Sequence, residues 1–428
     1  MEHDARKAGH AERVDDDRGA PARWKLVGPG IVVAATGVGA ADMVATLTAG
    51  SRYGYTLLWA VVLGVILKIV LVEGAGRFTL ATGYTIFEGW QMLGRWTTFY
   101  FGPYIIIWGF VYGATAMSST ALPITALFPD LSQPLVGAAM GLLGFLLVWF
   151  NRYAMFEKVT AALVGLMFVV IVVLAVVAAP NIPETLAGLL PVVPDGGLFY
   201  TLALAGGVGG TITLAAYGYW LREKGWYTPK WMRVMRIDNS MAYVLTGVFV
   251  ISMLIVGAEV VRAAGVQMSA GDAELLAHEV LVDRYGTVIG TTFLVGFWAA
   301  AFSSIIGVWN GVSLMFADFW GNLRGKESGH PDTRVGGKYF KFYLLWLTFP
   351  PMLLLMLERP IFLILLYGTL GSLFMPFLAL TLLPLLNGRR IPKEWGNRLH
   401  TNVALGITAL LFVVLGANEL VNTIRDAL

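Results

Sequence analysis

Two glycine-rich stretches decide the fold: residues 36–42 read Thr-Gly-Val-Gly-Ala-Ala-Asp, and residues 206–211 read Gly-Gly-Val-Gly-Gly-Thr. Each stretch lies inside an apolar segment that is long enough to cross a bilayer as a helix. Because each glycine costs about 1 kcal/mol of helix propensity relative to alanine, we predict that both helices break near mid-membrane. Unwound backbone is tolerated at that depth only where it is buried in protein or lines a cavity. The alternative interpretation is that these small residues only let helices pack closely.

The composition around these stretches is that of a membrane protein. The chain has 428 residues, of which 57% are hydrophobic and 13% are charged, whereas soluble domains are roughly 25% charged. Eleven apolar segments are predicted to span the membrane as helices, numbered one to eleven in chain order. They cover residues 28–51, 56–78, 99–127, 132–150, 155–179, 198–220, 238–261, 286–320, 339–358, 360–386 and 400–421. The sequence therefore predicts an all-α, multi-pass membrane protein.

The two glycine-rich stretches are related by position. They are 170 residues apart, and the second lies five spans after the first. Paired interruptions at matching positions are typical of secondary transporters built from inverted repeats. We therefore predict a transmembrane transporter domain over 25–428, with repeat one at about 25–180, repeat two at about 198–386 and a final helix at about 400–421. Residues 1–24 are charged and lack an apolar core, which predicts a polar cytoplasmic tail.

The distribution of basic residues predicts the orientation. Of the 30 Lys and Arg residues, 24 fall in segments on the side of the N-terminus, five fall on the opposite side, and Lys68 lies inside span two. Segments rich in Lys and Arg stay in the cytoplasm. We therefore expect a plasma (inner) membrane protein with a cytoplasmic N-terminus and, after eleven spans, an extracytoplasmic C-terminus.

Asp42 is the acidic residue beside the first break. A carboxylate near the bilayer centre is costly, and such residues usually face a cavity or a partner. In the first turn of the second half-helix, the positive end of the helix dipole favours its ionised form, while the first half-helix directs free carbonyls to the same place. This combination predicts a site for a hard cation. The alternative is that Asp42 only caps the half-helix.

Other polar side chains inside the spans are weaker candidates. Glu73 and Arg77 are four residues apart and can pair on one helix face, whereas Lys68 and Glu73 cannot. Lys68 could bind a substrate carboxylate. Each of these polar groups is also compatible with ordinary helix packing. The candidates for the transport pathway are Thr36, Lys68, Thr211, Tyr217 and Asn310.

Several stretches resemble the Nramp family of proton-coupled transporters of Mn²⁺ and Fe²⁺. Span one carries Gly-Pro-Gly at 28–30 and is followed by Gly-Tyr-Thr-Leu-Leu-Trp at 54–59. The likeness continues in Arg-Ile-Asp-Asn-Ser at 236–240, Ser-Ser at 303–304 and Pro-Phe at 376–377. The resemblance implies the leucine-transporter (LeuT) fold, with an inverted 5+5 repeat and an eleventh helix.

The chain departs from the family at the metal site. On alignment, the family's metal-binding Asp falls on Gly39 and its Asn on Asp42. In span six its carbonyl ligand falls on Gly210, its methionine ligand on Thr213 and a nearby histidine on Ala215. Hydroxyl, carbonyl and carboxylate oxygens favour Mg²⁺ and Ca²⁺, whereas thioether and imidazole favour Mn²⁺ and later metals. The resemblance therefore implies a metal site formed by Asp42, Gly39, Gly210 and Thr213. The preference of this site among metal ions is altered.

The family's other polar positions also differ here. Its span-ten glutamine aligns with Phe374. Spans three and nine, which carry the family's proton route, have no acidic residue within their apolar cores, and the five histidines lie in tails, loops or at a span end. We therefore expect that proton coupling of the family type is missing.

These observations leave several functional hypotheses. The first is a divalent-cation carrier, with a hard ion such as Mg²⁺ held by Asp42, Thr213 and the carbonyls of Gly39 and Gly210. The second is a symporter of a small, amino-acid-like solute in which Asp42 binds Na⁺ or H⁺. A Mn²⁺ transporter with an altered site and a non-transporting sensor or scaffold are further alternatives.

The sequence also excludes some functions and partners. It has no metalloprotease, serine-hydrolase or Walker-type motif, so we expect neither an enzyme nor an ATP-driven pump, and no cofactor. The net charge of +3 is too balanced to indicate nucleic-acid binding. The expected partners are a small ion or small-molecule substrate and membrane lipid. The oligomeric state is left open, and a monomer is compatible with the sequence.

Overall fold

The computed structural model describes residues 28–150, 153–206, 210–262, 273–357 and 360–427. These residues form helices and connecting turns, without any β-strand among them. The predicted polar tail at 1–24 and residues 207–209 of the second glycine-rich stretch lie outside the described residues. An all-α architecture is therefore confirmed for the membrane domain.

Each predicted span coincides with one helix or with a pair of helices. Three spans are divided: span one into helices 1a (Pro29–Gly37) and 1b (Ala40–Tyr53), span six into 6a (Leu198–Gly206) and 6b (Thr213–Glu223), and span nine into Lys338–Thr348 and Met352–Leu355. The other spans, two, three, four, five, seven, eight, ten and eleven, are Leu58–Thr82, Arg95–Leu127, Gln133–Phe150, Tyr153–Val177, Met232–Val256, Thr287–Leu323, Pro360–Asn387 and Leu399–Ala427. Shorter helices are Ile86–Leu93, Ile182–Ala187 and Ala273–Tyr285, and a π-helix at Gly257–Arg262 extends span seven.

The division of span nine was not predicted. Its two helices are separated by Phe349, Pro350 and Pro351. Proline has no backbone N–H and clashes with the preceding helical turn, so two consecutive prolines end the first helix although the segment is apolar throughout.

Helix length and composition support a multi-pass membrane protein. Within the described residues, six helices have at least 18 residues and are apolar enough to cross a bilayer, and these are spans two to five, seven and eight. Spans one, six and nine do not reach this length because each is divided. Shorter apolar segments are found in span ten (Leu373–Asn387) and span eleven (Leu399–Val414). The orientation of the termini stays a prediction.

Spans one and six cross at their breaks. Helix 1a contacts helix 6b, and helix 1b contacts helix 6a, as expected for antiparallel spans. At the crossing, a Cβ atom on Gly210 would lie 3.0 Å from the Cα of Gly37. Gly210 also has a φ of +99°, in a region that side-chain-bearing residues rarely adopt. Both the backbone conformation and the close approach therefore require glycine at position 210.

Span eight supports the crossing from one side. It contacts helices 1a and 6b as well as spans three, four, five and nine. Gly307 of span eight faces Thr36 so closely that a Cβ at 307 would collide with the Thr36 methyl group. Small residues of this kind let membrane helices approach each other closely. The break of span one is thereby held against span eight.

Candidate functional site

Asp42 lies where the sequence predicts it, in the first turn of helix 1b. The backbone N–H of Gly39 donates to Oδ2 of Asp42 at 3.0 Å, so the carboxylate caps the helix. Its other oxygen, Oδ1, accepts no hydrogen bond from any described residue. Asp42 and Gly39 are both half-buried, so part of their surface stays accessible. One carboxylate oxygen thus stabilises the helix, and the other can bind a ligand.

Neither the backbone conformation nor the available space requires a glycine at position 39. Its φ of −91° and ψ of 171° suit any residue. A Cβ at this position would lie 3.6 Å from Oγ of Ser304 and 3.7 Å from Oδ2 of Asp42, which are ordinary van der Waals distances. Neither strain nor crowding at the Cβ position therefore explains why glycine is found here in place of the family's aspartate.

Lys68 reaches the crossing from span two. Its side chain is fully buried, and its ammonium donates a hydrogen bond to the carbonyl of Gly210. It also interacts electrostatically with Asp42. In the structure, the carbonyl predicted as a cation ligand therefore accepts a hydrogen bond from Lys68 instead. Glu73 pairs with Arg77 at 3.0 Å, as their spacing predicts.

Two threonines at the start of helix 6b carry buried hydroxyl groups at the break. Oγ1 of Thr213 forms no hydrogen bond with any described residue, whereas the Thr211 hydroxyl interacts with the hydroxyl of Tyr367. Leaving a buried hydroxyl unsatisfied costs about 1–3 kcal/mol. A Cβ on Gly210 would lie 2.8 Å from Oγ1 of Thr213, so this hydroxyl is directed at the break. Such oxygens are suited to a ligand that enters the crossing.

The end of helix 1a is held by a chain of hydroxyl groups. Oγ of Ser304 donates to the carbonyl of Thr36 at 3.0 Å and is hydrogen-bonded to the hydroxyl of Tyr112 at 2.7 Å. The Thr36 hydroxyl donates to the carbonyl of Val33 at 2.8 Å. Thr36 therefore contributes to the structure of the break, and its backbone carbonyl accepts a hydrogen bond from span eight.

Two tyrosines complete the surroundings of Asp42. Tyr112 of span three and Tyr367 of span ten both interact electrostatically with its carboxylate. Their rings meet edge to face, with centroids 5.2 Å apart. Neither residue was singled out from the sequence, because aromatic residues make up 13% of the chain and occur in nearly every span. Ser304 was noted only through the family resemblance.

Span ten approaches the site at Gly371 rather than at Phe374. A Cβ on Gly371 would lie 2.8 Å from the Thr211 methyl group. Phe374 is fully buried among aromatic rings, with its centroid 5.5 Å from that of Tyr104 and 6.2 Å from that of Trp90. The position aligned with the family's glutamine therefore belongs to an aromatic cluster.

Tyr217, a predicted pathway residue, lies instead in a hydrogen-bonded clamp at the start of span one. Its hydroxyl donates to Oδ2 of Asp238 at 2.9 Å. The same carboxylate accepts the backbone N–H groups of Gly28 at 3.1 Å and Gly30 at 2.6 Å. Span seven thereby caps the N-terminus of helix 1a with a negative charge, which the helix dipole favours.

Asn310 is also engaged in helix packing. Its side-chain oxygen accepts a hydrogen bond from the indole N–H of Trp220 at 2.9 Å, and both residues are buried. This bond joins span eight to helix 6b. Asn310 thus fixes the helix whose first turn carries Thr213.

The candidate ligands at the site are oxygen atoms, and the ammonium of Lys68 lies beside them. No cluster of three His, Asp or Glu side chains that could hold a metal occurs within the described residues. Met43, next to Asp42 in sequence, is buried in the apolar core and supplies no ligand. A cation at the crossing would therefore meet one carboxylate and neutral oxygens.

Two antiparallel spans that break and cross in a multi-pass helical bundle define a protein of the LeuT fold. The chain belongs to the Nramp family: the family model described as natural resistance-associated macrophage protein-like matches residues 30–422. The resemblance stated from the sequence is thus confirmed. A curated relative, the divalent metal cation transporter MntH of Mycobacterium tuberculosis (strain CDC 1551 / Oshkosh), is 25% identical over 306 residues, which cover 68% of this chain and 70% of the relative.

Solved structures support the same fold. The manganese transporter of Eremococcus coleocola, in complex with an aromatic bis-isothiourea substituted compound, has a TM-score of 0.78 at 16% identity and covers 94% of this chain and 88% of its own. MhsT in complex with L-phenylalanine has a TM-score of 0.59 at 15% identity. The match covers 91% of this chain and 98% of the MhsT chain. At these identities the likeness shows the fold alone, and the predicted LeuT fold is confirmed.

Proposed function

We propose that this protein is a secondary transporter that moves a divalent metal cation across the membrane by alternating access. Membership of the Nramp family supports a metal substrate, as do the similarities to the divalent metal cation transporter MntH and to the manganese transporter of Eremococcus coleocola. The observation that carries the proposal is the buried, unpartnered hydroxyl of Thr213 at the break crossed by the Asp42 helix. This oxygen gains a partner when an ion enters.

We further propose that the preferred ion is hard, such as Mg²⁺. The candidate ligands are the carboxylate of Asp42, the hydroxyl of Thr213 and backbone oxygens at the breaks, including that of Gly39. All are oxygen atoms, which favour Mg²⁺ and Ca²⁺ over later transition metals. The Gly210 carbonyl joins this set only when Lys68 releases it.

The Thr213→Met variant tests the choice of ion. A thioether at this position replaces a hard ligand by a soft one, so the preference should move from Mg²⁺ towards Mn²⁺. We expect the ratio of the Mn²⁺ to the Mg²⁺ binding constant to rise by about tenfold or more, which is about 1.4 kcal/mol. Calorimetric titration of the purified protein with each ion measures this ratio. A Thr213→Val variant, which removes the hydroxyl without adding sulfur, should weaken both ions instead. An unchanged ratio in Thr213→Met would contradict the ligand role of Thr213.

Proton coupling of the family type is not part of this proposal. The position of the family's span-six histidine is Ala215, which is fully buried. Spans three and nine have no acid within their apolar cores. Transport should therefore dissipate only the gradient of the substrate. In vesicles containing the purified protein and a pH-sensitive dye, we expect ion uptake without a change of internal pH. Substrate-dependent acidification would show that another proton route exists.

A panel of substrates in proteoliposomes tests the function itself. We expect uptake of Mg²⁺, slower uptake of Mn²⁺ and no uptake of amino acids. Empty liposomes and liposomes containing the Asp42→Asn variant serve as controls. Uptake of none of the divalent ions by the wild-type protein would overturn the proposal.

A symporter of a small organic solute is the second candidate, and one observation favours it. The Lys68 ammonium and the Asp42 carboxylate together offer both charges that a zwitterionic amino acid would bind, and the bare Cα of Gly39 leaves room beside them. MhsT, which shares the fold, is complexed with L-phenylalanine. Uptake of amino acids without divalent ions in the same panel would select this alternative.

A further inference from the structure

Lys68 has an unusual position for a positively charged side chain. It is completely buried in the middle of span two, where an unpaired charge is costly. Gly64, one turn earlier on the same helix face, packs against helix 6a: a Cβ at position 64 would lie 2.6 Å from the carbonyl oxygen of Ala205. The backbones of span two and helix 6a are thus in close contact, and the next turn of span two places Lys68 at the end of that helix.

The partners of the ammonium are those proposed for the substrate. It donates to the Gly210 carbonyl at the break of span six and interacts with the Asp42 carboxylate at the break of span one. An ammonium at position 68 has the charge opposite to that of a carboxylate at position 42. Each interaction made by the ammonium is one that an entering cation would otherwise make.

We propose that Lys68 is a tethered cation that occupies the substrate site until a divalent ion displaces it, and that it thereby excludes monovalent cations. This inference rests on the proposed transport of divalent cations and names the residue that sets the charge selectivity of that site.

The selectivity follows from the competition between a tethered and a free ion. A group held by its own chain competes at a high effective concentration, so a free ion with the same charge gains nothing by replacing it. A divalent ion interacts about twice as strongly as a unit charge with the same carboxylate. Only the divalent ion therefore gains enough from Asp42 to displace the ammonium from the Gly210 carbonyl.

Two neutral variants test the competition by calorimetric titration of the full-length protein with MgCl₂ and MnCl₂. Lys68→Met keeps an unbranched side chain of nearly the same length, and Lys68→Gln keeps a hydrogen-bond donor. Both should bind divalent ions at least about tenfold more tightly than the wild type, because a unit positive charge has been removed from the site. Added NaCl or KCl should weaken this binding in both variants well beyond its effect on the wild type. Lys158→Met, which removes an exposed lysine of span five, should bind as the wild type does.

A second measurement detects the charge without any metal. The chain contains no cysteine, so a single introduced thiol can be followed cleanly. Gly39→Cys places the thiol beside Asp42 at a position with room for a side chain. We compare its reaction rates with an anionic and a cationic methanethiosulfonate reagent in the Lys68 and the Lys68→Met backgrounds. Removing the ammonium should lower the ratio of the anionic to the cationic rate by about tenfold.

The outcomes separate the two proposals. If the wild type binds divalent ions and both neutral variants bind them no more tightly, the tethered-cation proposal is overturned, whereas divalent-cation transport stands. If no chain binds divalent ions, the transport proposal fails and the displacement of Lys68 by such an ion fails with it, even where a fall in the rate ratio shows a positive charge at the site. An unchanged rate ratio overturns the role of Lys68 in either case.

Discussion

The Asp42→Asn variant is expected to lose divalent-cation binding while it keeps its fold. An asparagine oxygen can still accept the N–H of Gly39, so the cap on helix 1b is retained. What disappears is the negative charge. For unit charges 4 Å apart at an effective dielectric constant near 20, the Coulomb energy is about 4 kcal/mol, and it doubles for a divalent ion. We therefore expect binding to weaken by roughly 100-fold or more, measured by calorimetry with MgCl₂.

The Asp42→Ala variant separates capping from charge. It should lose binding to the same degree, and it should in addition lose about 0.5–2 kcal/mol of stability because Gly39 loses its acceptor. Thermal unfolding in detergent measures this second effect. Asp283→Ala, at an exposed acid of the helix before span eight, should change neither quantity. If Asp42→Asn bound divalent cations as tightly as the wild type does, the cation-transport proposal would fail. Transport of a small organic solute would then be favoured.

The same substitution should destabilise the protein at one break and leave it nearly unchanged at the other. Gly210→Ala forces a side chain onto a backbone with φ of +99° and pushes a methyl group to 2.8 Å from Oγ1 of Thr213. The conformational cost is about 1–2 kcal/mol, and overpacking adds about 1–3 kcal/mol. Gly39→Ala meets neither cost, because its backbone is extended and its nearest neighbour would be 3.6 Å away.

Thermal unfolding monitored by tryptophan fluorescence checks this contrast. We expect Gly210→Ala to unfold several degrees below the wild type and to lose transport, because the spans no longer cross in the same way. The free energy of unfolding of Gly39→Ala should lie within about 0.5 kcal/mol of the wild-type value. Equal losses in both variants would mean that the two breaks do not differ as the structure shows.

Much of the fold could be predicted because it depends on local properties. Glycine lowers helix propensity wherever it lies, so the breaks of spans one and six follow from the residues themselves. The capping position of Asp42 follows from its place after the first break. In span nine the continuous apolar character of the segment predicts a single helix, whereas Pro350 and Pro351 divide it into two.

The surroundings of the site depend on contacts between distant spans, which a single sequence does not reveal. Lys68 was noted as a charge in the membrane, but nothing in span two indicates that its partner is the carbonyl of Gly210. Tyr367 and Gly371 of span ten face the crossing because of how span ten is rotated, and the family alignment indicated Phe374 instead. Ser304 could be found only as part of a family motif.

The Asp238 clamp has a consequence for the speed of the transport cycle. Helix 1a cannot move away from span seven unless the N–H groups of Gly28 and Gly30 leave the carboxylate together, and hydrogen bonds to a charged group are about twice as strong as neutral ones. In the proposed transport cycle, we expect Asp238 to set the time spent closed at this end and Asp42 to set the affinity for the ion, so that either property can change while the other is kept.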